Sequence, residues 1–143
     1  MIGLETLTHA EIPLLRALVF EDNLVAIMKI NGMLSRIGMT VLTATNLPDS
    51  LALVNLHIKE PLPCQVILFD SNLHSKTDRM GSCGKAIHSA ALPLRARGTK
   101  FVNISDSNSI SLGLEFDSDP GKDARAIEKS IRELFPYLRS TTL

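Results

Sequence analysis

The stretch Arg16-Ala17-Leu18-Val19-Phe20-Glu21-Asp22-Asn23 decides how the rest of the chain is read. An apolar run without alternation marks a strand buried on both faces, and this one stops abruptly at two acids. Asn23 is placed to cap a helix. Beyond it Leu24, Ile27, Ile30, Leu34 and Ile37 recur at helical spacing as far as Gly38, where a helix C-cap is expected. The unit is strand, acidic turn, helix.

The same unit repeats. Met39 to Ala44 reads as a second strand, and Asn46-Leu47-Pro48-Asp49 starts a helix with proline in its first turn. Ser50 to Ile58 then carries Leu51, Val54 and Ile58 on one face, and Pro61 and Pro63 close the helix. Gln65-Val66-Ile67-Leu68-Phe69 is the most apolar strand of the chain, and it too ends in an acid, Asp70. The polar stretch from Ser71 to Ser82 is long for a connection from strand to helix. A third helix is expected from about Gly84 to Arg97, kinked or cut short by Pro93. A fourth strand follows at Lys100 to Ile104, ending in Ser105, and a last helix from about Asp123 to Phe135 turns Ala124, Ile127, Ile131 and Leu134 inward. Between these two the alternation fails, because Ser109 to Phe116 reads as a strand and leaves no room for a full helix. The expected fold is α/β, five parallel strands covered on both faces, with the fourth helix missing or reduced to a turn. Ile110 to Phe116 is then an edge strand whose open hydrogen-bonding groups offer a route to a homodimer.

A chain of 143 residues fits one domain. Residues 16–139 are assigned to it, with 1–15 as an N-terminal extension and 140–143 as a tail, and the protein is expected to stand alone and work through partners. Fifteen basic side chains balance fifteen acidic ones and no basic stripe forms, which argues against nucleic acid or a membrane surface as partner. The N-terminus lacks the basic start and apolar stretch of a signal peptide, and no apolar run is long enough to span a bilayer, so a cytoplasmic protein is expected. Cys64 and Cys83 have neither zinc nor redox-motif spacing and are read as buried or idle thiols. His9, His57, His74 and His88 lack metal-ligand spacing and are read as surface or capping residues.

In a sheet of this kind the ligand site lies outside the C-terminal ends of the strands, where strand order reverses. In the order 2-1-3-4-5, strands one, three and four are neighbours, and their ends carry Glu21 and Asp22, Asp70, and Ser105. Three carboxylates in one cleft raise one another's pKa, and a hard divalent cation such as Mg²⁺ relieves the repulsion. The set suits phosphoryl transfer, with Asp70 as in-line nucleophile and the Ser105 hydroxyl donating to a phosphoryl oxygen. No glycine-rich phosphate loop follows the first strand, and Asp70-Ser71-Asn72 lacks the second aspartate of an aspartyl-phosphate phosphatase. Hydrolase and nucleotide-binding readings therefore fall behind, and no enzymatic activity is expected.

Taken in order, these runs resemble the response-regulator receiver domain of two-component systems. Leu18-Val19-Phe20-Glu21-Asp22-Asn23 is similar to that family's first-strand signature, Val66-Ile67-Leu68-Phe69-Asp70-Ser71-Asn72-Leu73 to its phosphoacceptor strand, and Thr99-Lys100-Phe101-Val102-Asn103-Ile104-Ser105 to its Ser/Thr strand. The resemblance covers roughly residues 16 to 139. It implies a flavodoxin-like three-layer sandwich in a phosphorelay, with Asp70 accepting phosphate from a histidine kinase or phosphotransfer protein. It also implies Mg²⁺ held by Glu21, Asp22, Asp70 and the backbone carbonyl of Asn72, and output by contact with a downstream protein.

Three features depart from the family pattern. The family has a lysine before proline at the end of the fifth strand, whereas Asp119-Pro120 stands here and reverses the charge. Lys122, three residues on, is read as a solvated lysine at a helix start and not as a site residue. His74 stands where proline is common after the phosphoacceptor, and the fourth helix is lost. Two functions stay open: an atypical receiver phosphorylated at Asp70, and a phosphorylation-independent pseudo-receiver acting as a binding or dimerisation module.

Overall fold

The first apolar run forms β1 (Arg16–Phe20), and Ala17 to Phe20 are fully buried. The structure is a computed structural model that describes residues 15–71, 73, 82–106 and 109–141. β1 pairs in parallel with β2 (Thr40–Ala44) on one side and β3 (Val66–Phe69) on the other. β3 pairs in turn with β4 (Lys100–Asn103), giving the order β2-β1-β3-β4. The register sets Phe20 beside Ala44 and Phe69, and Phe69 beside Asn103. The strands therefore finish level, and the residues that follow them share one edge.

Three of the helices begin on a side-chain cap. Asn23 accepts from the Ala26 amide at 3.0 Å to start α1 (Leu24–Arg36), and Asn46 accepts from the Asp49 amide at 2.8 Å to start α2 (Leu47–Ile58). The third expected helix is broken at Ala91 into α3 (Ser82–Ala90) and α4 (Leu92–Ala96), because Pro93 lacks the amide needed to carry one helix through. α5 is the single turn Ser109–Leu112, and α6 (Ala124–Leu134) is capped by Asp123, with a 3₁₀ helix at Pro136–Thr141.

Because side chains alternate across a strand, the sheet feeds two cores. Ala17, Val19, Val66, Leu68 and Val102 pack on one face with α1 and α6. Leu18, Phe20, Ile67, Phe69 and Phe101 pack on the other with α2, α3 and α4. Phe69 and Phe101 meet edge to face at 5.7 Å. Cys64 and Cys83 are buried thiols and no disulfide joins them, as read from their spacing. Among the described residues no helix is long and apolar enough to cross a membrane.

The fifth strand survives as a remnant. One parallel bridge joins Val102 to Ser118, supported by the amides of Asp117 on Phe101, Asn103 on Ser118 and Gly121 on Asn103. It lies on the outer side of β4, so the order 2-1-3-4-5 holds with its last member reduced. The strand expected at Ser109 to Phe116 is not there. Ser109 to Leu112 is the shortened fourth helix, and the amides of Gly113 and Leu114 return to the Ser109 carbonyl. A segment folded on itself offers no edge, so the expected route to a homodimer through it loses its basis.

Two further readings change. Leu24, at the first helical position, is 71% exposed and lies outside the core. His57, read as a surface or capping residue, is buried, and its Nδ1 donates to the Leu53 carbonyl one turn back at 2.8 Å. His9 and His74 lie outside the described residues, as does most of the expected N-terminal extension.

α3 approaches the end of β3 at Gly84, whose amide donates to the Ser71 carbonyl at 3.2 Å. A Cβ at this position would lie 2.5 Å from Ser71 Oγ and 3.0 Å from Ser71 Cα. Although alanine favours helix, Gly84→Ala is expected to destabilise the protein by roughly 1–3 kcal/mol through overpacking. Urea unfolding checks this, and an unchanged or raised midpoint would count against the close approach.

Candidate functional site

The level ends of β1 and β3 bring their terminal acids together. The Asp70 amide donates to the Phe20 carbonyl at 3.0 Å, and the Glu21 amide to the Ala44 carbonyl at 3.1 Å. Glu21, Asp22 and Asp70 each place a carboxylate oxygen within 4.8 Å of the other two. Glu21 and Asp70 are buried and Asp22 is exposed. The acidic turn folds onto its own first carboxylate, since Glu21 Oε2 accepts from the amides of Asp22 at 3.1 Å and Asn23 at 3.0 Å. Glu21 Oε1 is buried with no hydrogen-bond partner among the described residues. Burial pushes the Glu21 carboxyl up to about 7, against the pull of the Asn23 amide; the Asp70 charge adds to the rise and Lys122 opposes it.

Lys122 supplies the neutralising charge. Its Nζ lies 2.8 Å from Asp70 Oδ2 and 3.4 Å from Glu21 Oε2, with the side chain 31% exposed. Burial works against the ammonium, but the hydrogen bond and charge of Asp70, followed by those of Glu21, outweigh it and raise the lysine above its ordinary value. The reading of Lys122 as a solvated helix-start residue is therefore corrected. The turn before α6 is the reason: the Gly121 amide donates to the Asn103 carbonyl at 3.2 Å and Gly121 sits at φ 76°, a conformation glycine adopts without strain. The chain is turned back over the strand ends, and Lys122 lands on the acids. The Pro120-Gly121 pair was the visible signal of that turn.

Asp119 is used elsewhere. Its Oδ1 accepts from Asn103 Nδ2 at 2.7 Å and from the Ser109 amide at 3.2 Å, tying the fifth-strand remnant to β4 and α5. Ser105 is buried beside Asp70's chain neighbour: its hydroxyl lies 3.4 Å from Ser71 Oγ and donates to Asn103 Oδ1, which also accepts the Ser105 amide at 3.0 Å. Of the expected site residues, then, Glu21, Asp22 and Asp70 converge, and Ser105 sits against Ser71. Asn72, whose carbonyl was expected at the metal, lies outside the described residues. Lys122 and Asn103 were missed.

No protein-family model matches the sequence, and no curated protein does. Solved structures match the fold. A response-regulator receiver domain protein from Clostridium thermocellum is similar with a TM-score of 0.63 at 15% identity, over 86% of this chain and 95% of that one. A CheY-like response-regulator receiver domain from Methylobacillus flagellatus gives 0.56 at 22% identity, over 84% and 98%. A sensor protein from Polaromonas sp. JS666 gives 0.61 at 20% identity, over 88% and 99%. The chain has the receiver fold.

The Glu21 shift has a consequence for stability. An unfolded Glu21 titrates near 4.5 and the folded one near 7, so the folded state binds the extra proton between these values. Stability from this group is present below that window and is lost as pH rises through it. The stability of the wild type relative to Glu21→Gln is expected to fall by on the order of 3 kcal/mol from pH 4.5 to 7.5. Chemical denaturation across the range measures it, and a pH-independent difference would contradict the burial argument.

Proposed function

We propose that this chain is an atypical receiver in which Asp70 accepts a phosphoryl group and Lys122 takes the part of the lysine that the family carries at the end of its fifth strand. The observation that carries the reading is the 2.8 Å pair between Lys122 Nζ and Asp70 Oδ2. An ammonium placed in advance beside the nucleophile meets the charge that gathers on phosphoryl oxygens as they are transferred. It also answers the charge reversal at Asp119, which is committed to Asn103 and Ser109.

A carboxylate oxygen of Asp70 attacks phosphorus in line. The bond from phosphorus to the donor breaks, its electron pair leaves with the donor, and a histidine donor regains a proton from solvent. Loss of the group reverses the sense: water attacks phosphorus, the bond to Asp70 breaks, and inorganic phosphate leaves with the carboxylate restored. In this reading the donor is a histidine kinase or phosphotransfer protein, and output is contact with a further protein in the cytoplasm.

The donor set fits a hard divalent cation, being all oxygen, with Glu21 Oε1 buried and unpartnered among the described residues. Glu21, Asp22 and Asp70, with the Asn72 carbonyl, would hold Mg²⁺, which when bound supplies further positive charge to the phosphoryl oxygens. The pseudo-receiver is the second reading, favoured by the reduction of the family's fourth helix to Ser109–Leu112.

Incubation with Mg²⁺ and acetyl phosphate separates them. Intact mass is expected to rise by one phosphoryl group in the wild type and not in Asp70→Asn. A wild type that gains no mass would overturn the phosphoacceptor and leave the pseudo-receiver.

A further inference from the structure

β4 ends on a polar residue where a strand buried in a parallel sheet ordinarily carries an apolar one. Asn103 is 1% exposed. Its side-chain oxygen accepts both the amide and the hydroxyl of Ser105, and its side-chain nitrogen donates to Asp119 Oδ1 at 2.7 Å. The same Asp119 oxygen accepts the Ser109 amide at 3.2 Å, and the Ser105 hydroxyl reaches Ser71 Oγ at 3.4 Å. A continuous polar chain thus runs from the residue after Asp70, through Ser105, Asn103 and Asp119, to the first turn of α5.

We propose that Asn103 is a positioning residue that holds the Ser105 hydroxyl in a resting orientation and so biases the protein against its phosphoryl-bound state. The proposal rests on the phosphoacceptor reading. A serine hydroxyl has one proton, and a proton given to Asn103 is withheld from a phosphoryl oxygen on Asp70. When the hydroxyl turns away, Asn103 Oδ1 keeps the Ser105 amide, so no buried acceptor is orphaned. The two arrangements therefore lie close in free energy, and a ligand that favours one tips the balance. Asp119 fixes the amide: by taking the Asn103 nitrogen it leaves the oxygen facing Ser105. Through Ser109 the same carboxylate ties that choice to the helix the family uses at full length. The residue that breaks the family's charge pattern thereby serves the resting state.

The test uses the full chain with Mg²⁺ and beryllium fluoride, a mimic that binds carboxylates as a phosphoryl group does. Affinity is measured for the wild type, Asn103→Leu, Ser105→Ala and the double variant. Asn103→Leu is expected to tighten binding about fivefold, the worth of one neutral hydrogen bond. In the Ser105→Ala background it is expected to change nothing, an outcome that a merely structural effect of Asn103 does not produce. Unchanged or weakened binding in Asn103→Leu, or equal tightening in both backgrounds, would overturn the proposal. The same four proteins give an unfolding cycle that needs no ligand. There, effects on the unfolding constant that simply multiply show that Asn103 and Ser105 do not interact. A wild type that binds no beryllium fluoride defeats the phosphoacceptor reading and the role built on it, whereas binding indifferent to Asn103 defeats this proposal alone.

Discussion

Two carboxylates buried side by side at the edge of a sheet are the constraint on which the rest of this structure turns. Glu21 and Asp70 are brought together by the parallel register of β1 and β3, and neither can be moved without moving a strand. Like charges in a low-dielectric site repel unless one takes a proton or a cation joins them. Both remedies act here: burial pushes the Glu21 carboxyl up to about 7, and the Lys122 ammonium bridges the pair. The exposed Asp22 leaves a third oxygen donor at the mouth of the cleft.

Lys122 reaches the acids by the path of a loop and not from the end of a strand. The fifth strand has shrunk to one bridge, and its closing position is an aspartate with a structural task. The turn at Gly121 then carries a lysine from just before α6 onto the acids. Electrostatics requires only that the ammonium reach the carboxylates, and the loop meets that requirement. The loop from Ser118 to Asp123 is anchored at both ends, by the bridge to β4 and by the Asp123 cap of α6.

What the sequence made legible follows from how local each signal is. The apolar runs of β1 and β3, the Asn23 and Asn46 caps and the break at Pro93 depend on near neighbours, and they stand where the residues place them. The convergence of Glu21, Asp22 and Asp70 was legible because parallel strands end on one edge by geometry alone. Pro120-Gly121 marks the turn before Lys122, but where the turn carries the lysine depends on the path of a loop and not on any period. Ser109 to Phe116 misled because alternating apolar residues also suit one helical turn followed by irregular chain. Asn103 and His57 were hidden for another reason: a polar residue inside an element declares its burial only through partners distant in sequence or on its own helix.

The central claim is that Lys122 and Asp70 form one electrostatic unit. A double-mutant cycle with Lys122→Met and Asp70→Asn, read as unfolding free energy without added metal, measures that unit directly. The account predicts that Lys122→Met destabilises the wild type clearly more than it destabilises Asp70→Asn, with a coupling of roughly 1–3 kcal/mol. Effects that add with no coupling would contradict it, and would return Lys122 to solvent.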